Sequence, residues 1–343
     1  MDKKSQRPNP LNDWKVDRNS IRTIGSGLQR PECILAERDG TLWAADARGG
    51  VTRIAPDGSQ QLITQSADKH FDLGADMQAS LLHGTLPNGL AFAANGDILI
   101  ANFGTDRLEV MTRDGRTRTL HDRIDGQPMG KVNFVLRDSK DRLWITVSTR
   151  VNPWPEAMRS TLADGYVALL DERGLRIVAD GFAFTNEVRL DATEEWLYVA
   201  ETTGKRVTRL RVGEDGSLSD REIYGPDCLG KGVVDGIAFD SYGNLWCTML
   251  FADHLIAITP EREVLRLLED GDPAQTEKFE AEFATGKPVN FDTMAATGGK
   301  IAPWLASVTF GGPDLRTVYL GSLKGSTIPY FQSPVAGLSM VHW

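Results

Sequence analysis

One phrase recurs six times along the chain, and it constrains the fold more than any other feature: a polar turn that runs into a short alternating apolar strand. The copies read DGTLWAAD (39–46), NGDILIAN (95–102), KDRLWITV (140–147), TEEWLYVAE (193–201), YGNLWCTM (242–249) and DLRTVYLGS (314–322). Further apolar strands precede and follow each copy, as in GGVTRIAPDG after the first and DHLIAITPER after the fifth. Period-two alternation with Gly, Asp and Asn at the turns specifies antiparallel strands. Units of about 45 to 75 residues that each hold about four strands close radially, leaving only short edges. The expected fold class is therefore all-β, a six-bladed β-propeller of four-stranded antiparallel blades. SIRTIGSGL (20–28) is expected to complete the last blade by joining the chain's ends. Residues 1–19 then form an N-terminal extension and 20–343 a single domain. The G-H and W-D signatures of WD40 repeats are absent.

Composition narrows the function. The 343 residues carry a formal charge of −9 and no Lys/Arg run able to track a phosphate backbone, which argues against nucleic acid as a partner. MDKKSQRPNPLNDWKVDRNS lacks the apolar stretch of a signal peptide, and no segment reaches the roughly 18 apolar residues of a membrane span. The expectation is a cytoplasmic protein without membrane contact. Cys33, Cys228 and Cys247 lie far apart with no C-x-x-C spacing, so neither a disulfide framework nor a thiolate metal site is expected.

With Leu42, Ile98, Leu143, Leu197, Leu245 and Val318 taken as equivalent, a second pattern emerges ten or eleven residues upstream. Glu32, Asn88, Asn133, Asn186 and Asp235 occupy one register on five inner strands, and the sixth blade has Val308 there. Inner strands line a propeller's central channel, so these polar side chains are expected to converge on the axis. Any one of them could simply serve a turn, as Asn and Asp do in the N-G and D-G dipeptides at 88–89 and 235–236. Glu32, Asn133, Asn186 and Asp235 together offer two carboxylates and two carboxamide oxygens, an all-oxygen set suited to one divalent cation. Calcium is the leading candidate; zinc is disfavoured without Cys or His in the register, and magnesium or manganese would fit the same cage.

At these residues the sequence resembles the SMP-30/gluconolactonase/luciferin-regenerating family of calcium-dependent six-bladed propellers. The likeness runs through PECILAERDGTLWAADARGG, GKVNFVLRDSKDRLW, FTNEVRLDATEEWLYVAETTGKRVTRL, VVDGIAFDSYGNLWCTM and VTFGGPDLRTVYLGS. It implies a metal site of Glu32, Asn186 and Asp235, with Asn133 contacting metal or substrate, and it points to Asp235 as general base. Departures occur at 131–134, where the family more often has an Asn-Asp pair, and at Glu187, which stands where the family has Gly.

The resemblance and the oxygen set together predict a metal-dependent hydrolase that opens a small lactone. The alternatives are a phosphotriesterase-like hydrolase on the same metal, and a non-hydrolytic propeller that binds a ligand or acts like the strictosidine synthases. His83, in SLLHGTLPNGL, is a competing base because histidine titrates near neutral pH. Asn88 shares the axial register, Lys131 precedes Asn133 by two residues on the same strand face, and Trp154 sits between two prolines; these are the expected substrate contacts. Three segments exceed what blades need, namely 66–87, 147–165 and 262–304, and long loops of this kind are commonly lids or binding loops. Within the last, DPAQTEKFEAEFATG (272–286) reads as a short helix from an Asp cap to Gly286. The partner is a small lactone or ester; the sequence leaves the oligomeric state open.

Overall fold

The computed structural model describes residues 8–65 and 84–343. Six four-stranded antiparallel sheets follow one another along the chain. Their innermost strands are Ile34–Ala36, Pro87–Phe92, Val132–Arg137, Thr185–Leu190, Val233–Phe239 and Leu305–Gly311. Each recurring phrase supplies the second strand of its blade: Leu42–Asp46, Ile98–Asn102, Leu143–Val147, Trp196–Glu201, Leu245–Leu250 and Thr317–Ser322. The sixth blade is closed by the N-terminal strand Arg22–Ile24, which pairs with Ile328–Gln332 in the register Arg22↔Tyr330 to Ile24↔Ile328. The propeller expectation and its closure at 20–28 are both borne out.

The repeated phrase owes much of its form to one hydrogen-bonded device. Trp43 Nε1 donates to Glu37 (2.6 Å), Trp144 Nε1 to Asp138 (2.9 Å) and Trp246 Nε1 to Asp240 (2.9 Å). In the third and fifth blades the same acid also accepts from backbone N–H groups of its turn, as Asp240 does from Tyr242, Gly243 and Asn244. The carboxylate ties a tight turn to a tryptophan that fills the space between blades, and all three indoles are fully buried. A buried indole with its N–H satisfied contributes its full apolar area without a polar penalty.

The propeller core lies between adjacent blades. A separate apolar cluster covers one end of the channel and draws on the inter-blade segments as well as the strands: Phe103, Trp154, Met158, Phe184, Phe251, Phe279 and Trp304 belong to it. The expected helix is present as α1 (Pro273–Phe283), its N-terminus capped by Asp272 accepting from Ala274 and Gln275. A second helix, α2 (Phe291–Ala296), follows it and was not anticipated. Phe251 packs against Phe279 of α1 at 4.6 Å and edge-on to Trp304 at 5.3 Å between ring centres. Lys205 pairs with Glu280 at 2.7 Å, which ties α1 to the fourth blade. Residues 9–16 dock on blades five and six through Leu11, Trp14 and Val16. Among the described residues no helix is long and apolar enough to cross a membrane.

Candidate active site

The axial residues owe their direction to a local irregularity. On blades two to five the pairing of the innermost strand shifts at the predicted position, between Pro87 and Leu90, Val132 and Phe134, Thr185 and Val188, and Val234 and Ile237, and on blade six it shifts between Leu305 and Ser307. Asn88, Asn133, Asn186 and Asp235 fall inside these shifts, out of the ladder. A bulge of this kind re-aims a side chain away from the sheet face it would otherwise take.

Strand pairing also corrects the register of the sixth blade. Ala36, Phe92, Arg137, Leu190, Phe239 and Phe310 are equivalent, because they pair with Leu42, Ile98, Leu143, Leu197, Leu245 and Val318. Four residues upstream stand Glu32, Asn88, Asn133, Asn186, Asp235 and Ala306. The sixth member is Ala306 rather than Val308, since the turn from Phe310 to Val318 is two residues longer than those of blades one, two, three and five and one longer than that of blade four. Val308 is a buried core residue.

The five polar residues line one cavity of about 50 Å³ at the covered end of the channel. Two residues before them lies another ring: Arg30, Leu86, Lys131, Phe184, Val233 and Trp304. Of these, Arg30, Leu86, Phe184 and Trp304 line the cavity. Arg30 (φ 56°), Phe184 (φ 57°) and Trp304 (φ 58°) adopt the left-handed backbone region that bulky residues rarely occupy. Such strain, about 1 kcal/mol or more per residue, persists where surrounding structure over-determines it and concentrates at functional sites. Phe103, Trp154, Met158, Leu250, Phe251, Leu323 and Thr202 complete the wall.

The polar floor is incompletely satisfied. Asn186 donates through Nδ2 to Thr202 Oγ1 (3.1 Å), leaving its Oδ1 buried without a hydrogen-bond partner. Asn133 Oδ1 is likewise buried without one. Arg30 Nη1 stands 3.1 Å from Glu32 Oε2 as an ion pair. Asn88 differs: its Oδ1 accepts from Arg30 Nη2 (2.6 Å) and its Nδ2 donates to the Asn133 carbonyl (3.0 Å), so both ends of its carboxamide are engaged.

Burial pushes the Glu32 carboxyl up to about 7, with Arg30 pulling it down and Glu187 pushing it further up. Asp235 is raised well above the carboxylate range by burial first, then by Glu32 and Glu187. Glu187 pairs with Arg189 at 2.7 Å and accepts from the Ile237 N–H at 3.1 Å; burial raises it too. Three carboxyls thus crowd one buried region against two guanidinium groups. Among the described residues no three or more His, Cys, Asp or Glu side chains form a metal-holding group. The donor set of Glu32, Asn133, Asn186 and Asp235 mixes carboxylates with carboxamides, and both carboxamides present an unsatisfied buried oxygen.

Trp154 and Asn88 line the cavity as expected, whereas Lys131 is not among its lining residues. The Lys131 ammonium pairs with Asp106 at 2.9 Å and lies 5.7 Å from the Phe103 ring centre. His83 lies outside the described residues. Two of the long segments do reach the site, 147–165 through Trp154 and Met158, and 262–304 through Trp304; of 66–87, Leu86 does. The sequence reading missed Arg30, Phe184 and Trp304. The two-residue step that singled out Lys131 from Asn133 reaches Arg30 from Glu32 and Phe184 from Asn186; it finds Trp304 only once Ala306 replaces Val308.

The family model for the SMP-30/Gluconolactonase/LRE-like region matches residues 31–274, a span that contains all five polar axial residues. The chain belongs to that family. A 6-deoxy-6-sulfogluconolactonase from Pseudomonas putida is 26% identical over 183 residues, 51% of this chain and 53% of that protein, so the chain spans about half the length of this curated relative. A gluconolactonase from Xanthomonas campestris shares 18% identity with a TM-score of 0.64, over 91% of this chain and 89% of that one. Regucalcin from Agrobacterium tumefaciens, described as a calcium-binding protein, shares 13% identity with a TM-score of 0.65, over 93% and 95%. At these identities the two solved members of the comparison speak for the propeller alone.

Proposed function

We propose that this chain is a metal-dependent hydrolase that opens a small lactone, with Glu32, Asn133, Asn186 and Asp235 holding one divalent cation, calcium first. One observation carries the reading: Asn133 and Asn186 each present a buried oxygen with no hydrogen-bond partner into the cavity that Glu32 and Asp235 also line. An unsatisfied buried polar atom costs about 1–3 kcal/mol, so the two together are retained against a substantial penalty unless a cation engages them. Oxygen donors of this mixed kind suit a hard cation that tolerates irregular geometry. The family's gluconolactonase members and the calcium-binding regucalcin support the same reading.

When bound, such a cation supplies Lewis-acid polarisation of an ester carbonyl and stabilisation of developing negative charge. The chain's own residues do the rest. Burial, then Glu32 and Glu187, raise the Asp235 carboxyl well above the usual carboxylate range; a dication beside it would oppose that shift and leave it able to take a proton from water at a carboxylate oxygen. Thr202 fixes Asn186 by accepting from its Nδ2, which turns Oδ1 toward the cavity. Ser307 donates to the Glu32 carbonyl, anchoring that residue's backbone against the sixth blade. The apolar wall limits water around the reacting carbonyl.

The test is lactone opening followed by proton release after chelation, with calcium, zinc, manganese and magnesium added back singly. Activity should vanish on chelation and return with calcium, and Asp235→Asn should lower kcat by about 10² or more at unchanged fold. Full activity in chelator, or in Asp235→Asn, would sink the proposal. His83→Ala separates the two bases: turnover within about threefold of wild type assigns proton removal to Asp235.

A further inference from the structure

We infer, resting on the lactonase reading, that the substrate carries an apolar body, an alkyl- or aryl-substituted lactone or ester, and that the site discriminates against polyhydroxylated sugar lactones. The cavity is divided by chemistry. Its polar groups gather at the axial floor, while Leu86, Phe103, Trp154, Phe184, Phe251 and Trp304 make up most of the wall above it. Two of those wall residues, Phe184 and Trp304, are held at positive φ, so the backbone is strained to put hydrocarbon there.

A sugar lactone would bring several hydroxyls into this space, and each needs a partner or loses about 1–3 kcal/mol of binding. Among the described residues the wall has little to offer them. Trp304 Nε1 already donates to Thr297 Oγ1 (3.0 Å), the Asn88 carboxamide is engaged at both ends, and Thr202, which accepts from Asn186, offers a single hydroxyl. With the free oxygens of Asn133 and Asn186 turned to a cation and Glu32 paired with Arg30, Arg30 Nε is a remaining buried donor without a partner. A lone donor of that kind suits the carbonyl or ring oxygen of one ester group. An alkyl chain or aromatic ring, by contrast, gains from every methylene buried against the wall.

Two readouts on the calcium-loaded full-length protein decide the matter. In the first, kcat/KM is measured for γ-lactones of increasing alkyl length, for dihydrocoumarin and for D-glucono-1,5-lactone. The expected result is a rise of roughly fourfold per methylene until the cavity is filled, with dihydrocoumarin at least about 10² above the sugar lactone. In the second, tryptophan fluorescence follows binding of the non-hydrolysable aryl lactam 3,4-dihydro-2-quinolinone against gluconolactam. The aryl lactam should bind at least tenfold more tightly. Trp154→Ala should remove most of that preference, and Met158→Gln, which keeps the volume of a second wall residue, should shift it toward the sugar analogue.

A flat alkyl series, or tighter binding and faster turnover of the sugar compounds, would overturn the inference while leaving lactone hydrolysis standing. Absence of turnover for every lactone would remove the hydrolytic reading. The binding comparison would still decide the character of the pocket.

Discussion

Replacing Glu32 with Gln should stabilise the cation-free protein at neutral pH, and the size of the effect follows from the crowding at the axis. The Glu32 carboxyl titrates at about 7 in the folded chain against an ordinary 4.5, because burial and Glu187 outweigh the nearby Arg30. Between those two pH values the folded chain holds a proton that the unfolded chain has released. The contribution of Glu32 to stability is therefore greatest below pH 4.5 and falls as the pH rises to 7. At about 1.4 kcal/mol per pH step, the loss approaches roughly 3 kcal/mol. Asp235, raised in the same direction, adds to it. Gln mimics the protonated acid and escapes this loss. With about 2.1 cal/mol/K of unfolding entropy per residue, a 343-residue chain changes Tm by about 1.4 °C per kcal/mol. In EDTA, wild type should thus fall relative to Glu32→Gln by about 4 °C between pH 4.5 and 7.5. Calcium at 100 times its Kd should return about 2.7 kcal/mol to wild type and little to the variant. Calorimetric melts of both proteins across this range, with and without calcium, make the comparison. Parallel pH profiles together with equal calcium shifts would refute both the crowding and the ligand role of Glu32.

Other substitutions probe the scaffold around the same site. Gly236→Ala would place a methyl 2.5 Å from the Ala306 carbonyl oxygen and 2.6 Å from Ser307 Cα, so it should cost about 1–3 kcal/mol and displace the neighbouring Asp235; a drop in Tm with a larger drop in kcat is the expected pair of readings. Trp246→Phe removes one of the hydrogen bonds that hold the buried Asp240 carboxylate and should cost about 1–3 kcal/mol in urea unfolding. Its kcat should stay near wild type, because Asp240 lies in an inter-strand turn and does not line the cavity.

The propeller was legible because its signal is periodic and local: alternation, turn residues and the returning Trp each report on one blade without reference to the others. The axial quartet was legible for a related reason, since counting back from equivalent positions works wherever the connecting turn keeps its length. It failed at Val308, where the sixth turn is longer by two residues than those of blades one, two, three and five and only strand pairing reveals Ala306. The N-G and D-G pairs show a different limit. Neither Gly89 nor Gly236 sits at positive φ; the absence of a side chain lets neighbouring blades meet, Gly89 against Phe134 and Gly236 against Ala306 and Ser307. A dipeptide that reads as a turn is here an inter-blade contact, which no one-dimensional pattern distinguishes.

Lys131 and Arg30 sharpen the point. Both precede an axial residue by two positions and both are cations, yet Lys131 is held by Asp106 and does not line the cavity, while Arg30 is folded onto Glu32 and Asn88 within it. What separates them is the backbone: Arg30 takes positive φ and Lys131 does not. A bulge at the axial position of blades two to six and a left-handed residue two steps before three of the axial positions convert a symmetric propeller into an asymmetric site, acidic and amide-lined at its floor and aromatic above it. That conversion depends on dihedral choices that a sequence of ordinary residues does not announce, which is why the polar axial residues could be read from the chain and, Trp154 apart, the aromatic wall could not.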